Sequence, residues 1–310
     1  MAAKWGRVAG KGRLMKKLVL SVVAVSGLIA PAYAADITVP TKAPPPVAAP
    51  PATPVFDIAF GGVVMSDYNF RGISQSNKGP SAGAYIEPQV NTSFGTLYLG
   101  LAGLAIDWPS APAYGFSNPS AEIDIYGGWR NSWGPFTLDI GAIYYYYPSE
   151  LFGIDSDFWE VYGKAGYAIT SDLSIGANLF YSPDVLNYGQ FGFGDVSGLY
   201  GSLTAKWVLP WKAGDFGSFV SGELGHWWLD NVANPNPGPA FVDPSYTYWN
   251  VGIGFTYKAV TLDLRYHGTD QNRTQCGNFL LVATANPATK WCDDTFIAAL
   301  KFDTSVNALK

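Results

Sequence analysis

From Phe56 onward the sequence alternates apolar and polar positions in segments about ten residues long, separated by Gly, Pro, Asn, Asp and Ser. Twelve such segments cover 56–71, 82–92, 96–108, 119–130, 136–147, 156–169, 172–182, 196–208, 218–229, 246–257, 259–268 and 294–303. The clearest is Ala259–Gly268, where Val260, Leu262, Leu264 and Tyr266 share one face and Thr261, Asp263, Arg265 and His267 the other. None carries a sustained helical period. Ordinary strands run ~5–6 residues, whereas a tilted strand crossing a bilayer needs ~9–11. Twelve long strands without intervening helices predict one all-β, up-and-down antiparallel transmembrane β-barrel over 56–303.

Three features set the orientation. The third segment has ambiguous parity; on the other eleven the apolar face holds no Asp, Glu, Lys or Arg. The opposite face holds fifteen: Asp57, Asp67, Arg71, Glu87, Glu122, Asp124, Arg130, Asp139, Glu160, Lys164, Lys206, Glu223, Asp263, Arg265 and Lys301. A charge facing lipid costs up to ~2–4 kcal/mol near the midplane, so this segregation points to a membrane. Even-numbered segments end, on their apolar parity, in Phe94, Trp129, Tyr167, Trp207, Tyr257 and Phe302, the pattern of a periplasmic aromatic girdle. Connections after odd segments run 10, 10, 8, 13, 16 and 25 residues, and after even ones 3, 5, 2, 9 and 1. Long outer loops and short periplasmic turns are the arrangement of bacterial outer-membrane barrels, with both termini inside. Leu209–Gly217, at nine residues, is long for such a turn.

Composition narrows the classes. Of 310 residues 48% are hydrophobic and only 14% charged, and the mean hydropathy is +0.08. Beyond the N-terminus the longest apolar run, Leu97–Ile106, is ten residues, short of the ~18–20 a membrane helix needs. The 19 Tyr, 18 Phe and 11 Trp exclude a disordered chain. A net charge of −5 disfavours nucleic acid as a partner. Two Cys and two His leave little for a zinc cluster, and no metal or other cofactor is expected.

The N-terminus reads as a signal peptide over 1–34, with an alternative start at Met15. Leu18–Ile29 is apolar behind Lys16 and Lys17, and Ala32-Tyr33-Ala34 places cleavage between Ala34 and Ala35. Cleavage removes six basic residues and leaves 13 basic against 24 acidic. A linker over 35–55 follows, with seven prolines within Pro40–Pro54, a composition that runs as a stiff polyproline spacer. Residues 304–310 form a C-terminal extension. Cys276 and Cys292 share the 25-residue connection, and export to an oxidising compartment predicts a disulfide between them.

Ser66-Asp67-Tyr68-Asn69-Phe70-Arg71-Gly72-Ile73-Ser74-Gln75-Ser76 resembles the opening signature of the TorF family of proteobacterial outer-membrane porins. Glu122–Gly128, Gly141–Pro148 and Tyr181–Asp184 are similar to later segments of that family. The resemblance implies an outer-membrane barrel that conducts small solutes. The Pro-rich lead-in resembles surface proteins of alphaproteobacteria. Phe302 stands where the assembly-signal aromatic is expected, although the chain continues past it.

The expected function is passive diffusion of small hydrophilic solutes or ions across the outer membrane of a Gram-negative bacterium. The fifteen charges line the lumen, nine acids against six bases, giving a weak cation preference. Twelve strands lie between a filled eight-stranded barrel and an open sixteen-stranded one, so inward Tyr126, Tyr145, Tyr162, Phe180 and Tyr200 are candidates for a constriction. Ser66–Gly72 is expected to shape the top of strand one, with Gly72 turning the chain. Alternatives are a lipid-acting barrel enzyme, for which His226 and His267 are the candidate histidines, and a non-conducting surface barrel. His267 reads as lumen-lining, and His226, between Gly225 and Trp227-Trp228, as part of an outer girdle. Expected partners are outer-membrane lipid and lipopolysaccharide, the barrel-assembly machinery and the diffusing solutes, with a homo-oligomer left open.

Overall fold

The computed structural model describes residues 55–108, 119–148, 155–191, 194–211, 213–233, 241–279 and 289–310; the expected signal peptide, with its cleavage position, and nearly all of the Pro-rich linker lie outside them. Twelve strands close into one antiparallel barrel. In chain order the elements are β1(Phe56–Met65), two short strands β2(Asn69–Phe70) and β3(Ile73–Ser74), then β4(Ser81–Thr92), β5(Gly95–Ala105), β6(Ala121–Trp133), β7(Phe136–Tyr146) and β8(Phe158–Ala168). They continue as β9(Leu173–Ser182), β10(Gly198–Val208), β11(Phe216–Leu229), the short β12(Val232–Ala233) and β13(Phe241–Val242), then β14(Tyr246–Tyr257), β15(Val260–Thr269), a short helix α1(Arg273–Phe279) and β16(Thr295–Ser305). Each wall strand pairs with its neighbour in the chain, and β1 closes the wall against β16 from Ala59↔Ser305 to Met65↔Ala299. The small hairpins β2–β3 and β12–β13 stand apart from the wall.

All twelve expected wall strands are present, and register assigns their faces. Directly paired residues share a side, so Asp57↔Gln89, Gln89↔Tyr98 and Tyr98↔Gly128 run one inward row across four strands. This fixes β5, whose parity the sequence leaves ambiguous: Tyr98, Ala102 and Leu104 are buried inside, and Leu97, Leu99 and Leu101 are exposed outside. Among the described residues, no Asp, Glu, Lys or Arg occupies the outer face of any wall strand. That face is a continuous apolar surface, far larger than the few hundred Å² a soluble monomer exposes. Phe94, Tyr167, Trp207, Tyr257 and Phe302 are exposed near the short-turn rim, and Trp129, half-buried there, donates its indole N–H to the Phe94 carbonyl at 3.0 Å. Tyr144, Tyr146, Trp159, Tyr181, Trp228 and Phe296 make a second exposed aromatic row toward the long-loop rim.

The turn after β10 is tighter than the sequence suggests. Leu209 N–H donates to the Ser218 carbonyl at 2.8 Å, and Ala213 bridges Phe216, with Gly214 at φ +62°. β16 runs on to Ser305, and the residues after it fasten to the start of β1: Val306 N–H donates to the Ile58 carbonyl and Asn307 N–H to Asp57 Oδ1.

The largest departure concerns the first segment. β1 stops at Met65, and residues 66–80 turn into the barrel instead of continuing the wall to 71. The β2–β3 hairpin has the two-residue loop Arg71-Gly72, with φ +48° and +91°, the signs a type I′ turn requires. Left-handed backbone costs an L-residue about 1–2 kcal/mol, so Arg71 is an expensive occupant of that position. Asn69 compensates by accepting the Gly72 N–H on its side-chain oxygen at 2.9 Å.

Candidate functional site

Alternation aims one side chain in two from every wall strand at the barrel interior, and closure gathers them into a single polar and aromatic core. Thirteen of the fifteen charges expected to line it do project inward from the wall: Asp57, Glu87, Glu122, Asp124, Arg130, Asp139, Glu160, Lys164, Lys206, Glu223, Asp263, Arg265 and Lys301. Asp67 and Arg71 are inside for a different reason, because the hairpin of the first loop carries them there. Asp303 joins them from β16, opposite Gly61. The expected strand ends on it, which leaves it outside the fifteen.

The interior is wired across the barrel. Arg130 forms an ion pair with Glu87 at 2.7 Å and faces Asp139 at 3.8 Å, its guanidinium over the Tyr98 ring. Tyr98 hydroxyl donates to Asp139 and lies 2.6 Å from the Tyr162 hydroxyl. On the opposite side Arg265 forks onto Asp263 at 3.0 and 3.1 Å and donates to Asn250 and Ser221, while Lys301 lies 3.8 Å from Asp263. Lys164 and Lys206 sit over the rings of Tyr162 and Phe219 at 4.3 and 4.2 Å. Ion pairing of the inner charges is what a low-dielectric interior demands, since an uncompensated buried charge costs several kcal/mol.

The first loop is seated in this frame by contacts to four distant parts of the wall. Tyr68 hydroxyl donates to Glu122 Oε1 on β6 at 2.6 Å, and Tyr147 supplies the other Glu122 oxygen at 2.8 Å. Arg71 donates from both terminal nitrogens to the two oxygens of Glu160 on β8, each at 2.8 Å. Tyr246 on β14 donates to the Arg71 carbonyl, and Ser66 N–H to the Ala298 carbonyl on β16. Within the loop Asp67 accepts from Ser74 and Ser76 hydroxyls, with the Lys78 ammonium at 3.9 Å. Burial raises the Asp67 carboxyl above the ordinary carboxylate range, although these three groups pull the other way.

The expected disulfide is formed: Cys276 on α1 and Cys292 are joined and buried. It fixes the neighbouring strand of chain against the first loop. Ser74 N–H donates to the Trp291 carbonyl, the Trp291 indole to Asn77, and the Lys78 ammonium to the Asp293 carbonyl.

Tyr126, Tyr145, Tyr162, Phe180 and Tyr200 are all buried inside, stacked or tilted against Tyr98, Phe158 and one another. Trp227 joins them. Of the two tryptophans after His226 only Trp228 is on the outer face, because consecutive residues point to opposite faces. His226 lies on the outer face against Trp228 and Thr247, whereas His267 is buried inside against the Tyr248 hydroxyl at 2.9 Å. Asp124 is fully buried beside Glu122.

A closed twelve-stranded barrel with an uncharged apolar exterior and a charged, paired interior is a transmembrane β-barrel. The chain belongs to the family described as a bacterial protein of unknown function (Gcw_chp), whose model matches residues 48–301. Among solved structures it is similar to an outer membrane channel from Pseudomonas putida F1, at 12% identity and TM-score 0.44, over 82% of this chain and 97% of that one. It is also similar to the toluene transporter TodX of Pseudomonas putida, at 10% identity and TM-score 0.40, over 81% and 90% of the two chains. No curated protein matches it.

Proposed function

We propose that the chain is an outer-membrane channel for passive diffusion of small hydrophilic solutes or ions, narrow and weakly cation-preferring, with the long loops facing outward. The observation that carries it is the complete segregation of charge: none on the outer face of the wall, and ten carboxylates against six bases inside once Asp303 is counted. A surface of that kind is stable in lipid, and the excess of inner carboxylates favours cations along any aqueous path. The likeness of Ser66–Ser76 to the TorF porins supports the same reading. Lipid and lipopolysaccharide would then surround the aromatic rows, and the barrel-assembly machinery would insert the chain.

The inward loop sets the bore. A second reading, a non-conducting barrel, draws on the near-complete burial of Asp124, Glu160 and Lys164. Single-channel recording of the mature protein in a planar bilayer under a salt gradient separates the two. Discrete steps with a cation-favouring reversal potential are expected. Anion-favouring steps would overturn the charge assignment, and silence from a folded, heat-modifiable barrel would overturn the channel.

A further inference from the structure

The guanidinium of Arg71 fills a receptacle that the barrel wall builds without it. Phe180, Tyr200 and Trp227, from β9, β10 and β11, place their ring centroids 4.9, 4.4 and 4.6 Å from its central carbon. Glu160 on β8, 0% exposed, receives both terminal nitrogens at 2.8 Å. Each wall group is held by another wall group, Trp227 by the Tyr246 ring at 6.0 Å. Tyr145 hydroxyl donates to Glu160 at 2.9 Å, Tyr200 hydroxyl donates to Glu223 at 2.8 Å, and the Phe180 ring leans on Tyr162 at 5.5 Å. The occupant, in contrast, arrives on a two-residue hairpin loop in left-handed backbone.

We propose that this aromatic box with its carboxylate is a recognition site for solutes bearing a guanidinium group, and that Arg71 is an internal occupant which such a solute displaces. The shape selects the ligand class. Two parallel N–H groups match the two carboxylate oxygens, and a flat cation presents its faces to rings on several sides. An ammonium offers a point charge and cannot make the parallel pair. An anion would meet the Glu160 carboxylate with nothing to neutralise it. The inference rests on the channel reading for how solute reaches the box, since the wall strands enclose it.

The test measures binding separately from current. Folded Arg71→Ala in detergent, with heat-modifiability as the check on folding, is titrated calorimetrically with methylguanidinium and with methylammonium. Methylguanidinium is expected to bind at least about tenfold more tightly than methylammonium, and Glu160→Gln added to Arg71→Ala is expected to abolish the difference. Gly72→Val gives a second route: a side chain at Gly72 would meet Thr269 Cγ2 at 2.2 Å, so the hairpin withdraws with Arg71 intact and the box opens. A folded variant that binds neither cation, or binds both equally, overturns the proposal. Binding without current would sink the channel and keep the box; current without binding would do the reverse.

Discussion

Tyr85 on β4 reaches past β1 to Asp303 on β16, its hydroxyl donating to the carboxylate at 3.2 Å, and it crosses at the one inward-facing position of β1 without a side chain, Gly61. The contact laces the seam where the two ends of the wall meet.

Gly61→Ala should therefore weaken closure. A methyl group there would lie 2.5 Å from the Phe302 carbonyl oxygen, 2.6 Å from the Tyr85 ring and 2.7 Å from Asp303 Oδ1. The ring can shift, but the carbonyl belongs to the ladder. Overpacking of this kind costs about 1–3 kcal/mol, read as a lower urea midpoint for barrel unfolding in detergent. An unchanged midpoint would mean that the seam is looser than its geometry.

Reduction of Cys276–Cys292 should loosen the first loop and spare the wall. The bond closes a loop of sequence separation 16 and is worth about 3 kcal/mol in the chain-entropy picture. Its loss frees Trp291 and Asp293, which hold Ser74, Asn77 and Lys78. Amide exchange of residues 74–78 is expected to quicken under reductant while β7–β9 stay protected. Equal protection in both states would show that the wall contacts alone hold the loop.

Acid should seat the loop more firmly. The Asp67 carboxyl is raised above its unfolded value, so the folded loop prefers its protonated form. That preference is fully present below the unfolded pKa and is lost as pH rises through the folded one. Loop opening, scored as mean channel current, should fall as pH drops through the raised folded-state value toward the ordinary carboxylate range, and Asp67→Asn should flatten the dependence. A profile unaltered in Asp67→Asn would assign it to another group.

Much of the wall was legible because a charge in lipid is so costly that the sequence sorts its faces strictly. β5 resisted because its inner face, Tyr98, Gly100, Ala102 and Leu104, is nearly as apolar as its outer one, and only pairing to β4 and β6 decides. The inward hairpin reads as more strand because Asp67, Asn69 and Arg71 keep alternating with Tyr68 and Phe70 after Met65. Arg71-Gly72 between two short polar-apolar pairs was the available sign of a turn. Nothing local announces that Tyr68 meets Glu122 or that Arg71 meets Glu160. Those partners lie 54 and 89 residues away and are brought together by closure alone.

That dependence on closure orders events in time. Every pairing in the wall but β1–β16 joins neighbours in the chain, so β1 must keep a bare edge until β16 arrives. The hairpin after β1 is among the first barrel residues synthesised, yet its anchors on β6, β8, β14 and β16 are complete only at the end. The segment seated inside the barrel thus precedes most of its anchors in the chain, and its full set of wall contacts exists only once the wall has closed.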